Sequence, residues 1–89
     1  MTILQIDIET YSGVDLTRVG VYRYVEDKDF EILLFAYAYD DGPVQVVDLK
    51  SGERLPEQVL KDLTDPRVTK TAFNANFERV CIAKFFNRN

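Results

Sequence analysis

There is no histidine among the 89 residues, and that absence removes the commonest general base. The single cysteine, Cys81, cannot close an internal disulfide, and without an imidazole to activate it the thiol is a poor nucleophile. It lies in an apolar periodic stretch and reads as a small core residue. No apolar run approaches the ~18 residues of a membrane span, and the start lacks the basic n-region and small-residue cleavage site of a secretory signal. A cytoplasmic protein with no membrane partner is the expectation. Basic side chains are also scarce, 11 against 15 acids, for a net charge of −4. Surface charge alone therefore argues against a nucleic-acid binder. The deficit is uneven, however: residues 1–66 carry six basic and fourteen acidic side chains, whereas 67–89 carry five and one.

What is present is a small soluble domain. Hydrophobic residues make up 46% and charged residues 29%, a globular rather than disordered balance, and the length allows one domain with a modest core. The informative stretch opens the chain: Ile3-Leu4-Gln5-Ile6-Asp7-Ile8-Glu9-Thr10 reads as a buried strand interrupted by two acids. Alternation puts Asp7 and Glu9 on one face with Ile3 and Gln5, and Leu4, Ile6 and Ile8 on the other. The two carboxylates then stand roughly 7 Å apart. Like charges at that spacing raise each other's pKa unless a cation or a set of donors holds them ionised. A divalent metal ion answers that need, and it would also offset the acidic composition toward a phosphate substrate. A lone Asp-x-Glu is common in chains of this length, and an exposed strand end tolerates acids, so the pair alone does not decide.

Downstream, Tyr11-Ser12-Gly13-Val14-Asp15 is turn chemistry, with Gly13 free to take positive φ. Leu16 to Val25 reads as a short helical turn or a loop, since Gly20 argues against one continuous helix. Tyr22 and Tyr24 either share a groove, where a ring stacks on a base, or cover the edge of the core, the commoner arrangement. Glu31 to Tyr39 is an aromatic-rich strand apolar enough for both faces to be covered. Asp40-Asp41-Gly42-Pro43 turns it into a returning strand from Val44 to Leu49, and the two aspartates read as solvated turn residues rather than ligands. Leu55, Val59, Leu60 and Leu63 predict a helix from Pro56 to Leu63. Val68 to Phe73 predicts a fourth strand, and Asn74-Ala75-Asn76 caps a last helix with an apolar stripe of Phe77, Val80, Cys81 and Phe85, widened by Ile82 and Phe86. The expected fold is α/β: three antiparallel strands, then a fourth parallel to the first, in one mixed sheet with helices. That topology sets Glu78 beside the end of the first strand, either as a residue complementing the helix dipole or as a third acid converging with Asp7 and Glu9.

Asp7-Ile8-Glu9-Thr10 resembles the first motif of the 3′→5′ exonucleases with an RNase H-like fold, the group named for its four metal-binding acids. Ala72-Phe73-Asn74-Ala75-Asn76-Phe77-Glu78 is similar to the second motif. The whole chain, including Ser12 to Leu16, Gly20-Val21-Tyr22 and Phe30 to Leu34, resembles the amino-terminal part of family-A DNA polymerases of phages and prophages. The resemblance implies a proofreading domain spanning residues 1–89, with Asp7, Glu9 and Glu78 as catalytic and metal-binding acids. Two divalent ions, Mg²⁺ or Mn²⁺, serve as cofactors in that family. It further implies a single-stranded DNA 3′ end and the remainder of a polymerase chain as partners, with Thr10, Asn74, Asn76 and Phe77 contacting the nucleic acid. For the asparagines, capping the helix is the commoner role.

Two departures qualify the likeness. The second-motif acid is most often Asp, and Glu adds a methylene, which favours contact with the second ion through water. The third motif, with a fourth acid and a Tyr or His, and the last strand and helix of the fold, have no counterpart here. The expectation is a partial domain, weakly active or inactive alone, whose exposed apolar surface drives self-association. Rival readings are another RNase H-like metal nuclease, such as a ribonuclease or junction resolvase, and a non-catalytic fragment that binds only a partner protein.

Overall fold

The computed structural model describes residues 2–72 and 74–88. Strand β1 (Ile3–Tyr11) is followed by α1 (Leu16–Val19) and α2 (Val21–Glu26), then β2 (Glu31–Tyr39), β3 (Gln45–Asp48), α3 (Glu57–Thr64), β4 (Thr69–Ala72) and α4 (Ala75–Arg88). The sheet order is β3-β2-β1-β4, with β1 antiparallel to β2, β2 antiparallel to β3, and β1 parallel to β4. This is the mixed α/β arrangement that the element order predicts. The sequence expectation for β4 reaches Phe73, which lies outside the described residues.

Along β1, Leu4, Ile6 and Ile8 are buried while Gln5, Asp7 and Glu9 are exposed. Each buried aliphatic side chain contributes on the order of 1.5–3 kcal/mol. Their cluster takes in Val25 of α2, Val59 of α3, and Val80 and Cys81 of α4, so helices cover one face. The other face stays open: Asp7 stands beside Ala36 of β2, and Ala36 beside Val46 of β3, which is 59% exposed.

Strand β2 meets in part the expectation that both its faces are covered. On the open side Ala38 is buried, but Leu34 and Ala36 are only half-buried. The buried Ile32 and Phe35 on the core side lie three apart because the pairing slips between Glu9 and Thr10. Glu9 faces Leu34, Thr10 faces Ile32, and Leu33 is the extra residue. The bulge returns Ile32 to the core side with Phe35.

The segment between β1 and β2 forms two short helices. Gly20 separates them at φ 82°, a conformation in which glycine carries no steric penalty; its N–H donates to Leu16 O (2.9 Å), and its carbonyl accepts from Tyr24 N (3.0 Å). Gly13 does not take positive φ. Its N–H donates to Asp27 Oδ2 at 2.7 Å, and a Cβ there would come within 2.8 Å of that oxygen, so glycine serves close approach. On the hairpin side, Asp40 adopts φ 51°, accepts from Ile3 N through Oδ1 (2.9 Å) and closes the turn against β1. That is a structural aspartate, as turn chemistry suggests.

Helix α3 starts after Pro56 and ends at Asp65, which precedes Pro66 and is therefore driven out of helical backbone. It is latched to the sheet by a buried carboxylate. Asp62, 8% exposed, accepts from Tyr39 Oη (2.6 Å) and from Gln58 Nε2 (2.9 Å). Burial first, and then the Asp62 carboxylate, push the Tyr39 phenol above its ordinary value. Asp62→Ala leaves that hydroxyl without its partner, and urea unfolding should show a loss of roughly 1–3 kcal/mol. An unchanged urea midpoint would mean the latch contributes nothing to stability.

Candidate functional site

Among the described residues, the β1–β4 pairing runs as far as Ile6 with Ala72. β4 ends there while β1 runs on to Tyr11, so the acids of β1 lie past the carboxyl end of β4, a place where open parallel sheets form ligand crevices. β1 delivers Asp7 and Glu9 there, exposed on the open face. Asp7 borders a shallow depression of about 400 Å³ with Gln5, Ala36, Val44 and Thr71.

Glu78 arrives from the opposite side. Asn74 starts α4: its carbonyl accepts from Glu78 N at 3.0 Å, and its Oδ1 lies 3.4 Å from Phe77 N, a long capping bond. One turn later the Glu78 side chain lines an apolar cleft of about 550 Å³ with Ile6, Ala72, Ala75 and Ile82. Glu78 is 6% exposed, and its Oε2 is buried with no hydrogen-bond partner. Burial is the main force pushing this carboxyl above its ordinary value; the Asp7 charge adds to it, and backbone N–H groups of Glu78 and Asn74 oppose it.

Asp7 and Glu78 are thus within electrostatic reach of each other across the strand ends. Among the described residues, no three His, Cys, Asp or Glu side chains come together as a group able to hold a metal ion. The reason is geometric: Asp7 opens onto one face of the sheet, and Glu78 rises from the helix-covered face. The donor set nevertheless suits a hard divalent cation, since carboxylate oxygens are what Mg²⁺ takes. A buried carboxylate oxygen with no partner is the feature that such a cation would relieve.

The other sequence-predicted positions divide. Asn74 and Asn76 are exposed at the start of α4, and Asn76 Oδ1 accepts from Arg79 Nη2 (2.9 Å). Thr10 and Phe77 are half-buried and both meet Tyr24: Thr10 Oγ1 lies 2.9 Å from its hydroxyl, and the Phe77 ring centroid 6.0 Å from its ring. Phe73 of the second motif lies outside the described residues. Tyr22 and Tyr24 do not share a groove, because they stand on a helix, where residues two apart point away from each other. Tyr22 is 62% exposed, while Tyr24 packs inward.

Sequence reasoning missed Asp27, which accepts from Gly13 N (2.7 Å) and Asp29 N (3.1 Å) and so fixes the loop that follows the acid strand. An aspartate two residues before an acceptable N–H was the available signal. Cys81 is fully buried, and burial, followed by the Glu78 charge, pushes its thiol up to about 12. It is inert core, as the lack of a histidine suggests. Among the described residues no helix is long and apolar enough to cross a membrane.

Comparison with known proteins finds a DNA polymerase of Bacillus phage SP02, 63% identical over 87 residues. The match takes in 98% of this chain and 13% of that polymerase, so the chain is homologous to a small part of a much longer protein. No family model and no solved structure matches.

The raised Glu78 carboxyl has a signed consequence for stability. Its folded value lies above its unfolded one, so the native state binds the extra proton, and stability falls as pH rises from the ordinary carboxylate range through the folded value. Glu78→Gln keeps the shape without the charge. Thermal melts between about pH 4 and pH 8 should show the variant more stable at neutral pH and less dependent on pH. Parallel pH profiles for the two chains would show that Glu78 is not under this strain.

Proposed function

We propose that this chain is the front part of a metal-dependent 3′→5′ DNA exonuclease domain that proofreads for a DNA polymerase. The observation that carries the reading is the Glu78 oxygen, buried and unpartnered at the strand ends where the Asp7 charge opposes its ionisation. Homology to a segment of a phage polymerase supports it, as do the two separated acidic motifs and their placement on β1 and at the start of α4.

In this reading Asp7, Glu9 and Glu78 hold two divalent ions, Mg²⁺ or Mn²⁺. When bound, the ions supply Lewis acidity at the scissile phosphate and a water acidic enough to attack. Asp7, flanked by Glu9 on its own strand and within electrostatic reach of Glu78, would contribute to holding both ions. Glu9 would hold the ion on the nucleophile side and its water. Glu78, set back in its apolar cleft, acts through water or after moving toward Asp7. The exposed Asn74 and Asn76 meet the terminal nucleotide of a single strand, and Thr10 and Phe77 shape the floor beneath it. The remainder of a polymerase chain is the intramolecular partner, and self-association through exposed apolar surface is the expected behaviour of the chain by itself.

Manganese titration by calorimetry tests this directly. The chain should bind Mn²⁺ saturably, and Asp7→Ala should weaken binding about tenfold or more. In a polymerase that carries this segment, the same substitution should abolish digestion of a 3′-labelled single strand and leave DNA synthesis intact. Metal affinity indifferent to both Asp7→Ala and Glu78→Ala would sink the nuclease reading and favour a fragment that only binds a partner protein.

A further inference from the structure

We propose that Tyr24 is a positioning residue for the carboxylate site, tying the end of the acid-bearing strand to the first turn of the helix that carries Glu78. This rests on the metal-site reading above.

The sheet ladder does not include α4, so the tie between that helix and the strand end is made by side chains. Among the described residues, the β1–β4 pairing runs from Ile3 with Thr69 to Ile6 with Ala72. On its other edge β1 is irregular where it matters, since the pairing with β2 slips between Glu9 and Thr10. A bulge loosens the ladder and re-aims the side chains next to it. The β2 pairing resumes at Thr10 and Tyr11, and side-chain contacts add to it at the strand end; one residue supplies several of them.

Thr10 follows Glu9 directly, and its Oγ1 shares a 2.9 Å hydrogen bond with the Tyr24 hydroxyl in a half-buried setting. Ser12 Oγ donates to the Tyr24 carbonyl at 2.8 Å. Both bonds anchor the segment just past the acids to α2. The Tyr24 ring in turn leans on Phe77, the residue before Glu78, at 6.0 Å and 52°, and meets Phe30 edge-on at 5.8 Å. The hydroxyl thus holds the strand and the ring holds the helix. Two χ angles make tyrosine a stiff spacer, so a displacement at either end is felt at the other. These contacts act on Thr10 and Phe77, the residues next in sequence to Glu9 and Glu78, and supports around ligating carboxylates set ligand orientation and thereby metal affinity.

Manganese affinity of the full chain, measured by calorimetry, separates positioning from plain stability. Tyr24→Phe keeps the ring and removes only the hydroxyl, and Thr10→Val removes the other end of the same bond. Each should weaken Mn²⁺ binding about tenfold, and the double variant no further, since both cut one link. Val59→Ala, a core truncation on α3, should lower the melting temperature more than either while binding Mn²⁺ at parental affinity. Parental affinity in Tyr24→Phe, or an equal loss in Val59→Ala, would make Tyr24 an ordinary packing residue and overturn the inference. No Mn²⁺ binding by the parent chain would instead overturn the metal-site reading and take this inference with it.

Discussion

Because successive side chains along β1 take opposite faces, the strand cannot bury Leu4, Ile6 and Ile8 without presenting Gln5, Asp7 and Glu9 on the other side. β1 is also the strand that pairs with both β2 and β4, so that alternation sets the sides of the whole sheet. Helices α2, α3 and α4 contribute Val25, Val59, Val80 and Cys81 to the aliphatic face. The acidic face is left open to whatever binds there. A one-residue slip of β1 would bring Asp7 and Glu9 into the core, an expensive exchange that pins the register.

Glu78 introduces the opposing constraint. Its helix packs on the aliphatic face, yet the side chain emerges at the strand ends, where the Asp7 charge reaches it. A carboxylate in that position has two ways to lower its free energy, a proton or a cation. The raised pKa of Glu78 is the first of these expressed in the molecule as it stands. A divalent ion would be the second, and the two compete, because the oxygen that takes the proton is the one that would take the metal. Strain of this type is stored where function needs it, and the surrounding apolar contacts of Ile6, Ala72 and Ile82 keep it in place.

Much of this was legible in the residues. The alternation of β1, the Asp40-to-Pro43 turn, the Pro56 start and Asp65-Pro66 stop of α3, and the Asn74 cap of α4 are local signals, each with its own short-range cause. What escaped depends on contacts between distant segments. The slip opposite Leu33 is invisible in either strand alone, because it exists only in their pairing. The Leu16-to-Val25 stretch reads from sequence as either a helical turn or a loop, and the fold resolves it into two short helices, the second packed against α4. For Tyr24 and Glu78 the sequence leaves two roles open each, and only the fold shows one against Thr10 and Phe77 and the other buried in the cleft beside Ile6 and Ala72. Chemistry-bearing residue types were visible; the distances that give them meaning were not.

The charge distribution completes the argument. An acid-rich strand end repels a phosphate backbone, so a nucleic acid could approach it only after the local sign is reversed. Fixed cations begin that reversal: Lys70 and Arg79 border the Glu78 cleft, and Lys84 extends the basic character along α4. Lys70 is already engaged with the Asp65 carbonyl and Arg79 with Asn76, so these side chains frame the approach rather than neutralise the acids. In the proposed reading, neutralisation comes from the cations that Asp7, Glu9 and Glu78 would hold. On that account the net acidity of the chain follows from the chemistry proposed for it: a site built from carboxylates recognises phosphate only through metal, and without metal it turns phosphate away.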